Sequence, residues 1–373
     1  MLKHNPTLKY VINRILWYVL TFFVAITINF FLPRIGGSDP VTLTLNRMSS
    51  GMTPDRVRQM EEDLNVRYNL ARLDEDGNAI RAKVGADGNF VRDAEGDLVP
   101  DEKGRVVRRS LFNQYLNYLG MTMRGDLGMS IQQDRPVAEI MRESIPWTLA
   151  LQFPSIVIGW IVGNILGVLA AYKRGSFDKI LFPASMLSTS IPFFVFGMVL
   201  VYVFAIQLNL FPAYGGYAWE YTPGLNMGFI MSAGYHFILP FLSICPVMAG
   251  GQAIGMRSMS IYELGTDYIK FSKTLGIREH RIIKYIFRNA MLPQLTGLAM
   301  MLGQMVGGAL ITELIFSYPG LGTALLDAVN QNDYFVIQGG ALIVAIFLLI
   351  ANFTVDILIG IFDPRVKAGR VEG

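Results

Sequence analysis

Six apolar runs dominate this chain, at about Ile15 to Leu32, Leu149 to Ala171, Ile180 to Leu208, Phe237 to Met256, Met291 to Leu310 and Phe335 to Phe362, and each is long enough to cross a bilayer. Composition points the same way, with 52% of residues apolar and only 16% charged, as in an integral membrane protein. The expected fold is an all-α integral membrane protein with six transmembrane helices and a small extracytoplasmic α/β insertion between the first and second. Residues 1–32 then hold a cytoplasmic N-terminal segment and the first span. Residues 33–147 form an extracytoplasmic region with a β-hairpin-like insert at 71–109, and 148–373 form a five-helix core with a cytoplasmic loop at 257–290.

Charge orients the spans. Lys3, Lys9 and Arg14, then Lys173, Arg174 and Lys179, then Arg365, Lys367 and Arg370 put both termini and the second turn in the cytoplasm by the positive-inside rule. The loops Asn209 to His236 and Phe316 to Tyr334 contain no lysine or arginine and fall outside. Pro33 to Trp147 carries both signs, but a loop that long translocates largely regardless of charge. The first span lacks a small-residue cleavage site and exceeds the length of a signal-peptide h-region, so it reads as retained.

The loop between the fourth and fifth spans is basic, with Arg257, Lys270, Lys273, Arg278, Arg281, Lys284 and Arg288. Thr266 or Asp267 can cap a short helix with Lys270 and Lys273 towards its C-terminal end, where the dipole favours cations. Gly276 is suited to the left-handed residue that ends such a helix, and Ile277 to the hydrophobic contact that accompanies it. A second amphipathic helix is predicted from about Glu279 to Ala290, with Pro293 shortly before the next span. Physics alone leaves two readings open, a rigid knuckle that another protein grips and an interfacial hairpin touching anionic lipid.

The run DYIKFSKTLGIREHRIIKYIFRNAMLP, from Asp267 to Pro293, resembles the cytoplasmic loop of permease subunits of ATP-binding cassette importers, in the branch that takes up dipeptides, oligopeptides and nickel. Asp267-Tyr268, Gly276, Arg288-Asn289-Ala290 and Pro293 carry the likeness, while Ser272 and Thr274 stand where small alanines are usual. Four further stretches are similar to the same family in order and spacing. They are Gly125 to Ser130 with Arg135-Pro136-Val137 and Pro146 to Leu149, then Gly167 to Ala171 with Lys173 to Asp178, then Glu313 with Phe316 and Pro319-Gly320-Leu321-Gly322, and last Asp356 with Asp363-Pro364-Arg365. The resemblance implies that Asp267, Tyr268, Lys270, Ser272, Lys273, Thr274, Gly276 and Ile277 couple the chain to an ATPase. It also implies a second homologous permease subunit, two ATP-binding cassette ATPase subunits that bind ATP and magnesium, and an extracytoplasmic substrate-binding protein. No cofactor and no catalytic residue is expected on this chain. The implied cargo is a di- or oligopeptide, with oligosaccharides or nickel as alternatives.

The exterior insert repeats a short pattern in Asp74 to Asn78, Ala86 to Asn89, Ala94 to Asp97 and Asp101 to Arg105, each glycine following an acidic or basic residue between strand formers. That spacing predicts successive hairpin turns and a small antiparallel sheet. The insert reads as a contact for the binding protein, an entrance gate or a plain loop extension. Asp74 to Asn78 is faintly like a calcium loop but lacks the bidentate glutamate downstream.

Several function classes are excluded or weakened. There is no glycine-rich phosphate loop ending in Gly-Lys-Ser/Thr. No basic patch is interleaved with aromatics, so no nucleic-acid partner is expected, and the lipid bilayer is the general one. Cys245 reads as a small core hydrophobe, and His4, His236 and His280 are too scattered for a metal site. The spans hold no cluster of titratable groups such as an ion-coupled carrier or intramembrane enzyme needs, and Glu313 and Asp356 at span ends suit structural roles. Most polar residues within the spans serve helix packing. Ser188, Thr189 and Ser190 beside Pro192, and Gln304 beside Gly303, Gly307 and Gly308, are the candidates for a neutral substrate path.

Overall fold

A computed structural model describes residues 6–35, 40–85, 89–93, 95–308 and 310–362. The chain runs α1 (Pro6–Ile35), α2 (Pro40–Met48), α3 (Pro54–Arg67), β1 (Arg81–Ala82), β2 (Arg105–Val106), α4 (Leu111–Met123) and α5 (Val137–Lys173). It continues with α6 (Gly175–Ser190), α7 (Phe193–Leu200) and a wider π-helical turn (Val201–Gln207), then α8 (Met227–Leu264), α9 (Asp267–Thr274) and α10 (Glu279–Gly308). The last helices are α11 (Leu310–Ile315), α12 (Leu321–Gln331) and α13 (Tyr334–Phe362).

Among the described residues, four helices are long and apolar enough to span a membrane, in Ile12–Phe31, Val137–Lys173, Met227–Leu264 and Tyr334–Thr354. A fifth forms if the bent pair Gly175–Ser190 and Phe193–Gln207 counts as one span. Helices satisfy their own backbone, which is why long apolar segments adopt them in lipid. The expected span at Met291 to Leu310 lies mostly in α10 and is the least apolar, because Gln294, Thr296, Gln304 and interspersed glycines dilute it. The expected second loop helix and that span are one continuous helix. Pro293 sits inside it, so the lost N–H bond is absorbed without ending α10.

The expected third span is bent by 95°. Ile191 is extended, as a residue before proline prefers, and Pro192 opens α7. Upstream, the hydroxyls of Ser188 and Thr189 donate to Ser185 O and that of Ser190 to Met186 O, at 2.9, 3.1 and 2.7 Å. Such back-bonding loosens the last turn before a break.

The chain divides into two compact units. The first comprises 1–22, 143–326 and 344–373. One close seam joins α5 to α8, where Gly159, Gly163 and Gly167 recur every four residues. A Cβ on each would lie 2.9 Å from Cys245 O, 2.3 Å from Ala249 O and 2.5 Å from Ala253 O. Small residues here let two backbones touch, which replaces the hydrophobic drive that lipid removes.

The second unit comprises 23–142 and 327–343. Val41, Leu64, Tyr68 and Leu70 form its small core. In the insert β1 pairs antiparallel with β2, and single bridges link Leu73 with Ala79, Val84 with Phe90 and Arg92 with Leu98. The tips are built locally. Asp74 accepts from the amides of Asp76 and Asn78, and Asp93 from those of Glu95 and Asp97, around left-handed Gly77 and Gly96. Residues 86–88 and Ala94, within two of the expected turns, lie outside the described residues. Arg81 ties the insert to α3, pairing with Glu62 at 2.8 Å and donating to Arg58 O and Gly104 O.

Candidate functional site: a docked knuckle and two capped helix entries

Helix α9 is held to the helices around it by an apolar underside. Ile269 is 0% exposed and packs with Val168, Met256, Ile282, Ile286 and Ala290, so α5, α8, α9 and α10 meet in one cluster. Burying such an isoleucine contributes about 1.5–3 kcal/mol. Its C-terminus closes as a Schellman motif. Gly276 has φ +66°, its N–H donates to Lys273 O at 3.0 Å, and Ile277 N–H donates to Ser272 O at 3.2 Å. Ile277 then joins the apolar cluster. A Cβ on Gly276 meets nothing within 4 Å, so the position needs glycine for its backbone angle and not for space.

Polar contacts fix the other edge. The Tyr268 hydroxyl donates to Glu263 at the end of α8 and accepts from Asn289 Nδ2 on α10 at 2.7 Å. Burial, and then the bond to Glu263, pushes the phenol above its ordinary value, which keeps the proton needed for that bond. Within the Arg288-Asn289-Ala290 triplet, Asn289 holds Tyr268, Ala290 packs below α9 and Arg288 faces outward. Thr266 is at the N-cap position, but its hydroxyl turns back to Glu263 O at 2.6 Å, so Asp267 opens the helix uncapped by that side chain. Asp267 and Lys270 form an exposed pair at 3.0 Å, Lys273 lies 5.7 Å from the Tyr172 ring, Ser272 bonds Tyr268 O and Thr274 bonds Lys270 O. The outward face keeps two large apolar side chains one turn apart, Phe271 at 64% and Leu275 at 61% exposure.

A second arrangement surrounds Glu313, which is buried on α11. Its carboxylate accepts from Thr148 Oγ1 at 2.6 Å and Gly322 N at 2.7 Å, while Thr148 Oγ1 accepts from Leu321 N at 2.8 Å. The group thus caps the start of α12. A Cβ on Gly320 would lie 2.3 Å from that carboxylate, and one on Gly322 2.5 Å from the Leu310 backbone. The glycines at 320 and 322 have a steric cause, since the turn must close directly onto the buried Glu313 carboxyl group and the Leu310 backbone.

In the other unit, Asp333 opens α13 in a similar way. It accepts from Ser130 Oγ and Gln132 N, and Ser130 N and Val137 N bond Arg135 O and Gly128 O. Gly128 has φ +85°, and a Cβ there would lie 2.8 Å from the Phe335 ring. Gly125 to Ser130 with Arg135-Pro136-Val137 is therefore a helix-entry clasp.

Residues 163–368 match the family described as binding-protein-dependent transport system inner membrane component. The chain belongs to this family of ATP-binding cassette importer permeases. It is 35% identical over 278 residues to the dipeptide transport system permease protein DppB of Escherichia coli (strain K12), covering 69% of this chain and 82% of the relative. It is 32% identical over 277 residues to the di/tripeptide transport system permease protein DppB of Pseudomonas aeruginosa (strain UCBPP-PA14), covering 70% and 82%. It is 30% identical over 273 residues to the glutathione transport system permease protein GsiC of Escherichia coli (strain K12), covering 73% and 84%. The protein is accordingly a multi-pass membrane permease, and its family is one of transporters.

The matched region contains the knuckle and Glu313 with its glycine turn, and leaves Thr148 and the insert at 71–109 outside it. Of the path candidates, Ser188 packs against Gly250 of α8, whereas Thr189 and Ser190 are exposed just before the bend. Gln304 lies on α10 and Asp356 on α13. Asp363, Pro364 and Arg365 lie outside the described residues. Sequence reasoning missed Glu263 and the pairing of Arg257 with Asp178, whose two bonds of 2.5 and 2.6 Å tie α8 to α6, with Phe182 under the guanidinium at 4.5 Å. A signal existed, because Asp178 ends the Lys173 to Asp178 stretch and Arg257 is the first cation of the basic loop.

Proposed function

We propose that this permease forms half of a translocation path for di- or oligopeptides in a bacterial inner membrane, with six spans and both termini in the cytoplasm. Its path pairs with that of a second homologous permease subunit. Two separate ATPase subunits bind ATP and magnesium and grip α9, while an extracytoplasmic binding protein delivers cargo. The peptide reading is supported by the chain's similarity to dipeptide, di/tripeptide and glutathione transport permeases.

One observation carries the coupling reading. Helix α9 is buried beneath at Ile269, left apolar above at Phe271 and Leu275, and joined through the Gly276 turn to α10, which runs unbroken for 30 residues. A force on the outer face of α9 then moves α10 as a lever, and bundle packing turns it into a change between two gate states. The chain's own residues supply the seat, the lever and the walls.

The test is Gly276→Val in the reconstituted importer, followed through ATP hydrolysis and peptide uptake together. A valine at φ +66° strains the turn by at least about 1–2 kcal/mol, in a place where its Cβ meets nothing within 4 Å. Uptake per ATP hydrolysed is expected to fall at least tenfold with membrane insertion unchanged. Normal uptake per ATP would remove the coupling role.

A further inference from the structure

We infer that α4 is a membrane-interface anchor whose arginine-lined end binds the phosphate of an anionic phospholipid. Helix α4 presents two faces of different character. On one, Tyr115 OH lies 2.8 Å from Thr27 Oγ1 of α1, Tyr118 OH accepts from Asn29 Nδ2, and the Tyr115 ring stacks on Phe31 at 5.8 Å. On another, Phe112, Leu116, Leu119 and Met123 follow one another at the spacing of a helical stripe, with Phe112 66% and Met123 65% exposed. No α4 residue is buried, so the stripe is not core.

What covers that stripe follows from its neighbour. Val24, Ile28 and Phe31 form a matching exposed stripe on α1, inside the candidate span Ile12–Phe31. The Phe31–Tyr115 stack joins α1 to α4 beside both stripes. If α1 crosses the bilayer, α4 meets it near the end of the hydrocarbon, where an amphipathic helix buries its apolar side at headgroup depth. This inference rests on that membrane reading of α1.

Charge gives the second argument. A cleft of about 770 Å³ opens at the start of α4, and its lining includes Arg72, Arg108 and Arg109 together with Leu73 and Leu116. Guanidinium groups suit a phosphate bidentately, and the adjoining leucines suit the first carbons of an acyl chain. An anionic amphiphile satisfies both walls at once, whereas an acidic protein loop would satisfy only the first.

The test uses the full chain, purified with the subunits it retains, in nanodiscs of phosphatidylglycerol and phosphatidylcholine. In a Cys245→Ala background, spin labels are placed by Phe112→Cys, by Val24→Cys as a reference in the span, and by Glu75→Cys as a reference in an exposed turn. The label at 112 is expected to collide with oxygen several-fold more than with a water-soluble nickel chelate, as the label at 24 does. Equal behaviour of labels 112 and 75 would overturn the anchor. A water-exposed label at 24 would instead overturn the span reading beneath it. Separately, Arg72→Gln with Arg109→Gln should weaken phosphatidylglycerol retention in native mass spectrometry by about 25-fold, at about five-fold per arginine. Unchanged retention, or protection of label 112 only when an extracytoplasmic binding protein is added, would assign the cleft to something other than lipid.

Discussion

The knuckle around Gly276 and the insert at 71–109 both end short elements with left-handed glycines, yet they are stabilised in different ways. Around Gly276 the turn only finishes what packing has begun, since Ile269, Ile277, Ile282 and Ile286 share one cluster drawn from several helices. Around Gly77 and Gly96 the tips are built locally, because an aspartate folds its own next four residues, and only a small cluster of Ala71, Leu73, Ala79 and Val106 beside the β1–β2 pair is described at the base. The proposed coupling role of α9 would need many apolar contacts behind the helix, and long-range packing supplies them. A chain of local turns makes a stable outline that can change length without disturbing what lies beneath.

That contrast is broken most directly at Ile269. Ile269→Ala removes a fully buried side chain at the centre of the knuckle and should cost about 2–5 kcal/mol. The apparent melting temperature of the detergent-purified protein should fall, and peptide uptake with it. Little change in either would mean that α9 is held by its polar edge, and the comparison would lose its basis.

A smaller effect is expected in the insert. A Cβ on Gly104 would sit 2.1 Å from Ala82 O, a backbone atom that cannot step aside. Gly104→Ala should cost about 1–3 kcal/mol by forcing β1 and β2 apart. Amide exchange should accelerate across residues 71–109, while exchange in α9 and α10 and the rate of uptake stay as they were. Faster exchange in the knuckle would show that the insert is not the self-contained structure its turns suggest.

How much of this was legible in the sequence depended on the range of the interactions. Gly276 and Ile277 announced a helix C-terminus because every partner lies within five residues, and the Schellman bonds fall where that spacing puts them. Among the described residues, the turns that follow Asp74 and Asp93 were legible for the same reason. The continuity of α10 was not, since Pro293 looked like punctuation and only tertiary packing decides whether a helix tolerates one. The bend after Ser190 was marked by Pro192, but its 95° angle needed the neighbours of α6 and α7. Buried caps were the least legible. Glu313 finds Thr148 across 165 positions, and Asp333 finds Ser130 across 203, distances over which a single sequence carries no periodic signal.

The finest discrimination comes from one oxygen atom. Tyr268→Phe keeps the ring and its packing but removes the hydroxyl that links Glu263 at the end of α8 to Asn289 on α10. The site is partly open to water, so the loss should be about 1 kcal/mol, less than either larger change. The informative quantity is the coupling between variants. Asn289→Ala removes one of the two bonds on that hydroxyl and leaves the one to Glu263, so the two changes made together should cost less than the sum of the separate costs. If thermal stability instead falls additively while uptake per ATP hydrolysed stays constant, the polar edge is ornamental and the apolar underside of α9 alone holds the knuckle. If uptake per ATP falls more than stability does, the Glu263, Tyr268 and Asn289 contact sets the angle at which α9 meets its partner, and the motif residues Tyr268 and Asn289 act as a pair.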